Sequence, residues 1–111
     1  MTYFTQMYGD VGRVILTGDF DVFSRDEFLG EVDRLTALGA RQLVVDMRRV
    51  RFVSSNGVSA LLGANMRMRR QGGSIALAHP AREIRETLEL LGLSDRLPVL
   101  DGSEAFGVAM S

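Results

Sequence analysis

The chain has 111 residues, 46% of them hydrophobic and 24% charged, which suits one globular domain around a single core. A formal net charge of -1 supplies no global field to hold the molecule on nucleic acid or an anionic membrane, and the absence of cysteine removes disulfide and thiolate chemistry. With no signal-peptide pattern and no apolar run of membrane-spanning length, a reducing, cytosolic setting is the expectation.

Tyr3 to Tyr8 and Arg13 to Thr17 are β-prone, and Gly9-Asp10-Val11-Gly12 between them reads as the glycine-bearing turn of an antiparallel hairpin. After Gly18-Asp19-Phe20-Asp21, Ser24 followed by Glu27 has the spacing of a capping box. Phe28, Val32 and Leu35 then give a first helix one apolar face, which ends at Gly39, a C′ glycine. Leu43-Val44-Val45 is an unbroken aliphatic run of the kind found in a central strand covered on both faces, with Asp46 at its end. Arg48, Arg49 and Arg51 interrupt the apolar Val50, Phe52 and Val53, so Met47 to Val53 is expected to run along the surface toward the second helix.

The chain turns at Ser54-Ser55-Asn56-Gly57, residue types favoured at helix N-caps, and Val58, Leu61, Leu62 and Met66 then recur at helical spacing as far as Gly72-Gly73. A helix start of this kind points backbone N–H groups outward and favours negative charge. Met66 reads as core filling, whereas Met68 lies off the Val58, Leu62, Met66 stripe and reads as an exposed contact. Ser59, Ala60, Gly63 and Ala64 are expected on the outward side of this helix, where small residues suit either a docking surface or close packing within the domain. The residues alone leave both open.

Ser74 to Ala78 makes a further strand, and Pro80 opens a third helix with Ile84, Leu88 and Leu91 on one face and Gly92 at its end. Leu97 to Leu100 forms a short edge strand, and Ser103 to Met110 a final helix interrupted by Gly107. Such alternation requires right-handed crossovers and a mainly parallel sheet. The expected class is therefore α/β, α+β by some definitions, in one domain: a four- or five-stranded mixed sheet with an N-terminal antiparallel hairpin and about four helices, the first and third packed together on one face.

Residues that would carry chemistry in place are few. His79, the sole histidine, precedes Pro80 at a strand-to-helix junction, where a capping or surface role outweighs that of a base or metal ligand. Strand order does not forbid a couple between His79 and Ser55, but no Gly-x-Ser-x-Gly elbow supports a hydrolase. Asp19, Asp21 and Asp46 match no calcium-loop spacing, and Gly72-Gly73 lacks the Lys-Ser/Thr of a phosphate loop, so neither metal nor cofactor is expected. Arg48, Arg49 and Arg51 could join Arg67, Arg69 and Arg70 in a nucleic-acid patch. The last three, however, spread around their helix without interleaved aromatics and read as a solvated face. The expected product of this chain is binding, not catalysis.

Gly18-Asp19-Phe20-Asp21, Leu43-Val44-Val45-Asp46, Phe52 through Gly57 leading into Val58-Ser59-Ala60-Leu61-Leu62, Gly72-Gly73-Ser74 and Leu90-Leu91-Gly92-Leu93 together resemble a STAS domain, in particular the small free-standing bacterial anti-sigma factor antagonists. The likeness spans about Gly12 to Phe106. It implies a partner switch that binds an anti-sigma factor, a serine kinase of the histidine-kinase-like ATPase type, and so frees a sigma factor. In that family the kinase phosphorylates the first serine of an Asp-Ser-Ser/Thr-Gly motif and a serine phosphatase reverses it. Ser55 takes the acceptor's place, Asn56 that of the second hydroxyl residue and Gly57 that of the glycine, while Ser54 stands for the aspartate and is a second candidate acceptor. The partner-binding set implied is Asp21, Ser54, Ser55, Asn56, Gly57, Ser59, Ala60, Gly63 and Ala64, and a second copy of the chain counts among the candidate partners. The altered motif also fits a STAS subunit that does not cycle through phosphorylation, in a lipid-transport complex or larger signalling assembly. A small-ligand or nucleotide-binding domain would need a pocket at the ends of the parallel strands.

Overall fold

The computed structural model describes residues 1–100, and the helix expected from Ser103 to Met110 lies outside them. Strand β1 (Thr2–Tyr8) folds back on β2 (Val11–Phe20) through a two-residue loop in which Gly9 takes φ 60°, the positive value that opens a type II′ turn. Helix α1 (Val22–Ala37), β3 (Gln42–Val53), α2 (Ser55–Arg70), β4 (Ser74–Ala78), α3 (Arg82–Leu90) and β5 (Val99–Leu100) follow. The sheet order is β1-β2-β3-β4-β5, antiparallel between the first two strands and parallel thereafter, which is the expected mixed α/β sheet with five strands.

Strand order equals chain order, so successive right-handed crossovers all step in one direction and place their helices on one face. Accordingly Phe28, Val32 and Leu35 of α1, Leu61 and Met68 of α2, and Ile84 and Leu88 of α3 share one core with Val14, Leu43, Val45 and Leu77 of the sheet. The helices that pack side by side are α1 and α2, not α1 and α3: Gly63 lies against Leu29, and Arg67 Nε reaches Asp33 Oδ1 at 2.9 Å. Val44 is buried on the opposite face with Val11 and Ala78, where no helix lies among the described residues.

One local expectation shifts and another holds. Asp21 precedes α1 and Ser24 sits inside its first turn, its N–H bonded to the Asp21 carbonyl at 3.1 Å and its hydroxyl donating to Asp21 Oδ1 at 3.3 Å, so the cap lies three residues before the Ser24 box. At the other end Gly39 takes φ 104° while Ala40 N–H bonds the Leu35 carbonyl at 3.0 Å, the hydrogen bond of a Schellman stop.

Met47 to Val53 continues β3 as far as the pair Phe20 with Val53, and does not merely cross the surface. Two register shifts carry it: Met47 and Arg48 stand against Leu16 alone, and Arg51 is passed over between Val50 and Phe52. Each bulge adds an arginine that β2 does not match, which turns Arg48, Arg49 and Arg51 to solvent while Val50 stays buried. Asp46 anchors the first bulge, one carboxylate oxygen accepting from Arg48 N–H at 3.0 Å and the other from Arg13 Nη2 at 2.7 Å. Burial pushes the Asp46 carboxyl up, but the Arg48 N–H and Arg13 outweigh it and hold the group below the usual aspartate range.

Candidate functional site

Val53 ends β3 beside Phe20, and the chain enters α2 through Ser54, whose φ of -76° and ψ of 172° are those of an N-cap. Its Oγ accepts from Gly57 N–H at 3.1 Å, its own N–H bonds the Phe20 carbonyl at 2.9 Å, and its carbonyl accepts from Val58 N–H at 2.9 Å. Ser54 therefore performs the capping part of what an aspartate would do here, without the charge. The first turn of α2 holds no acidic residue to meet its positive N-terminal pole, while Arg67, Arg69 and Arg70 in the last turn complement the negative C-terminal one.

Gly57 is fixed by space. A Cβ there would sit 2.6 Å from the Phe20 carbonyl oxygen and 2.8 Å from Val53 Cγ1, so the first turn of α2 is pressed against the end of β2. Phe20 is itself immobilised, fully buried and edge-on to Phe28 at 5.1 Å between ring centroids. This seating presents Ser55 and Asn56 to solvent. The Ser55 hydroxyl makes no hydrogen bond within the described residues. Asp21, half-buried, follows directly on Phe20 and so borders the same corner.

The expected outward face of α2 is corrected by its burial. Ala60 and Ala64 are fully buried, and with Gly57, Leu61, Asn65 and Met68 they form the inward stripe; Met66 is 55% exposed. The roles of Met66 and Met68 are thus the reverse of those expected. Small residues face inward because the helix lies close to the sheet and to α1, where Gly63 touches Leu29. Ser59 alone of the four small residues is exposed. The outward surface of α2 is Ser55, Asn56, Ser59 and Met66, with Arg69 and Arg70 in the last turn, flanked by half-buried Val58 and Leu62.

A groove of about 250 Å³ adjoins this surface, lined by Phe52, Val53 and Val58 on one side and by Ile84, Thr87 and Leu88 of α3 on the other. Phe52, 57% exposed, lies beside the N-cap near the end of β3, a place that the arginine-interrupted pattern of Met47 to Val53 hides in the sequence.

The other candidates separate. Asp46 pairs with Ala78, the residue before His79, while β3 runs on from 46 to 53, seven residues or about 23 Å of strand, before Ser55, so no serine-histidine couple forms. His79 instead takes φ 54° and its Nε2 accepts from Arg48 Nη2 at 2.9 Å. Asp19 lies opposite Phe52, away from Asp46. Arg48, Arg49 and Arg51 belong to the sheet and Arg67, Arg69 and Arg70 to the last turn of α2, with Arg67 paired to Asp33, so the two basic groups form no common patch. Because strand order never reverses, the sheet has no switch point, the place where open α/β sheets open a crevice for a nucleotide. No helix among the described residues is long and apolar enough to cross a membrane.

A family model described as "Mlab, STAS domain" matches residues 4–101. The Bordetella bronchiseptica protein BtrV, which bears the name of an anti-sigma factor antagonist, is 29% identical over 83 residues, covering 75% of this chain and 68% of its own. Among solved structures, one of an anti-sigma factor antagonist by name from Thermotoga maritima superposes with a TM-score of 0.85 at 17% identity, over 96% of this chain and 93% of that one. The Bacillus cell fate determinant SpoIIAA in its phosphorylated form superposes with a TM-score of 0.76 at 17% identity, over 96% and 98%. At such identities the superpositions establish the fold alone.

Proposed function

The chain belongs to the STAS domain family, and on that premise we propose that it is a cytosolic anti-sigma factor antagonist, switched by phosphorylation of Ser55. The observation that carries this reading is the state of Ser55: an exposed hydroxyl, without a hydrogen bond among the described residues, at the first position of a helix whose cap is already filled by its neighbour. Of the two candidate serines, Ser54 is half-buried and its oxygen is engaged with Gly57 N–H, so a phosphate there would cost the cap. The name borne by BtrV supports an anti-sigma factor as the partner.

In this reading the partner docks on Ser55, Asn56, Ser59 and Met66 and fills the groove beside Phe52 and Val58, while a kinase supplies nucleotide and metal and this chain contributes no catalytic group. A phosphate adds about -1.5 to -2 charges, which the positive N-terminal pole of α2 accommodates without unfolding the domain. Across an interface shaped for a neutral hydroxyl the same charge adds bulk and desolvation cost, and about 1.4 kcal/mol suffices for each tenfold loss of affinity. The test is calorimetric titration with the serine-kinase anti-sigma factor found in a pull-down, followed by mass spectrometry after incubation with kinase and ATP. Ser55→Asp is expected to weaken binding at least about tenfold at an unchanged melting temperature, and Ser55→Ala to bind and resist modification. A second reading, a STAS subunit that does not cycle, is favoured by the neutral Ser54 where the motif carries an aspartate. Undiminished binding by Ser55→Asp together with an unmodified Ser55 would decide for it.

A further inference from the structure

The outer edge of β1 is used by nothing described so far. Among the described residues β1 pairs with β2 on one side only, and no turn, loop or cap hydrogen bond reaches its other side. The hairpin dictates which groups face outward. Tyr8 and Val11 flank a two-residue loop and form a hydrogen-bonded pair, so Gln6, Phe4 and Thr2 belong to the same class, and the N–H and C=O groups of Tyr3, Thr5 and Met7 point away from β2.

Sheet edges are ordinarily protected by a charge, a proline, a bulge or brevity. The far edge has two of these, since β5 is two residues long and follows Pro98. β1 has none: seven uncharged residues, Thr-Tyr-Phe-Thr-Gln-Met-Tyr, in unbroken register with β2 and with Tyr3, Phe4 and Tyr8 exposed.

We infer that β1 is a homodimerisation edge, onto which a second copy of this chain adds its own β1, antiparallel, about a two-fold axis at Thr5. The register is self-complementary. An axis at Thr5 sets Thr5 against Thr5 and Tyr3 against Met7, so the outward-facing backbone groups meet one another as hydrogen-bonded pairs, while Phe4 meets Gln6 and Thr2 meets Tyr8 with no like charges opposed. Charge admits a second copy: Arg34 of α1 donates from Nη2 to Thr5 Oγ1 at 2.8 Å and from Nε to Glu31 Oε1 at 2.8 Å, so each copy brings an internally paired cation and anion to the axis. The α2 surface stays free in this arrangement, since α2 begins at the end of β3, two strands in from the edge.

The chain has no cysteine, so Thr5→Cys introduces a single thiol whose cross-linking is unambiguous. Across the axis the two copies of residue 5 form a hydrogen-bonded pair with Cα atoms about 5.5 Å apart, within the roughly 4.4–6.8 Å that disulfides span. Tyr3→Cys is the control, because its two copies lie four residues out of register, about 13 Å apart. Under mild oxidation Thr5→Cys is expected to become a covalent dimer and Tyr3→Cys to remain a single chain, both melting as folded proteins. Sedimentation of the unmodified chain is expected to approach twice the monomer mass as concentration rises. Monomer mass at every concentration, or cross-linking of Thr5→Cys no greater than that of Tyr3→Cys, overturns the inference.

Discussion

Gly57 and Gly63 occupy the same helix, and substituting alanine at each is expected to change stability in opposite directions. In a helix alanine is favoured over glycine by up to about 1 kcal/mol, so propensity alone stabilises both variants. At Gly63 the new methyl meets Leu29 Cδ2 at 3.4 Å and Arg67 Nη1 at 3.5 Å, ordinary contacts with flexible side-chain ends. Gly63→Ala should therefore gain roughly 0.4–1 kcal/mol. At Gly57 the methyl meets the Phe20 carbonyl oxygen at 2.6 Å and Val53 Cγ1 at 2.8 Å. The backbone oxygen cannot retreat, since it accepts the Ser54 N–H at 2.9 Å and Phe20 is locked against Phe28. Overpacking of this kind costs about 1–3 kcal/mol, and a 2.6 Å approach to a backbone oxygen belongs to the upper half of that range, so a net loss of about 1–2 kcal/mol remains after the propensity gain. For a domain of this size that lowers the melting temperature by roughly 4–9 °C. Thermal melts followed by circular dichroism compare the variants directly. A Gly57→Ala chain that melts at or above the parent temperature would refute the seating of α2 on β2.

Two further outcomes follow from burial and charge. Ala64→Arg should unfold the domain, since its fully buried site would enclose an unpaired cation at a cost of several kcal/mol. The exposed Ser59→Arg should stay within about 0.5 kcal/mol of the parent in a melt yet weaken the anti-sigma factor in titration. Asp46 has a folded pKa below its unfolded value, so its contribution is full above about pH 4, the unfolded range, and is lost as pH falls through the folded value. Asp46→Asn should lower stability by about 1–3 kcal/mol at neutral pH and flatten the acid limb of a denaturation series, which equal acid limbs in the two proteins would contradict.

How much was legible in the residues depended on whether volume and burial agreed. The hairpin, the Leu43-Val44-Val45 strand, the alternation of strand and helix and the Gly39 stop all read correctly, because each rests on a strong local pattern. The phase of α2 did not. Val58, Leu62 and Met66 are its bulky residues, but a helix lying close to a sheet buries what fits, and Gly57, Ala60 and Ala64 fit. The second half of β3 was obscured by its bulges, since Arg48 and Arg51 break the period of two that marks a strand. At the site, Ser54 and Ser55 were both visible as candidates. Which one caps and which is free depends on a single hydrogen bond to Gly57 N–H that no spacing rule distinguishes.

The strand order has a kinetic consequence. Each new strand is laid beside the one made just before it, at the growing margin of the sheet, and none must be threaded between two that have already paired. Contacts between neighbours in sequence close smaller loops and form sooner than those between distant segments. The hairpin can wait as a nucleus at the ribosome exit while β3, β4 and β5 arrive in turn, so this sheet is buildable in the order of its synthesis.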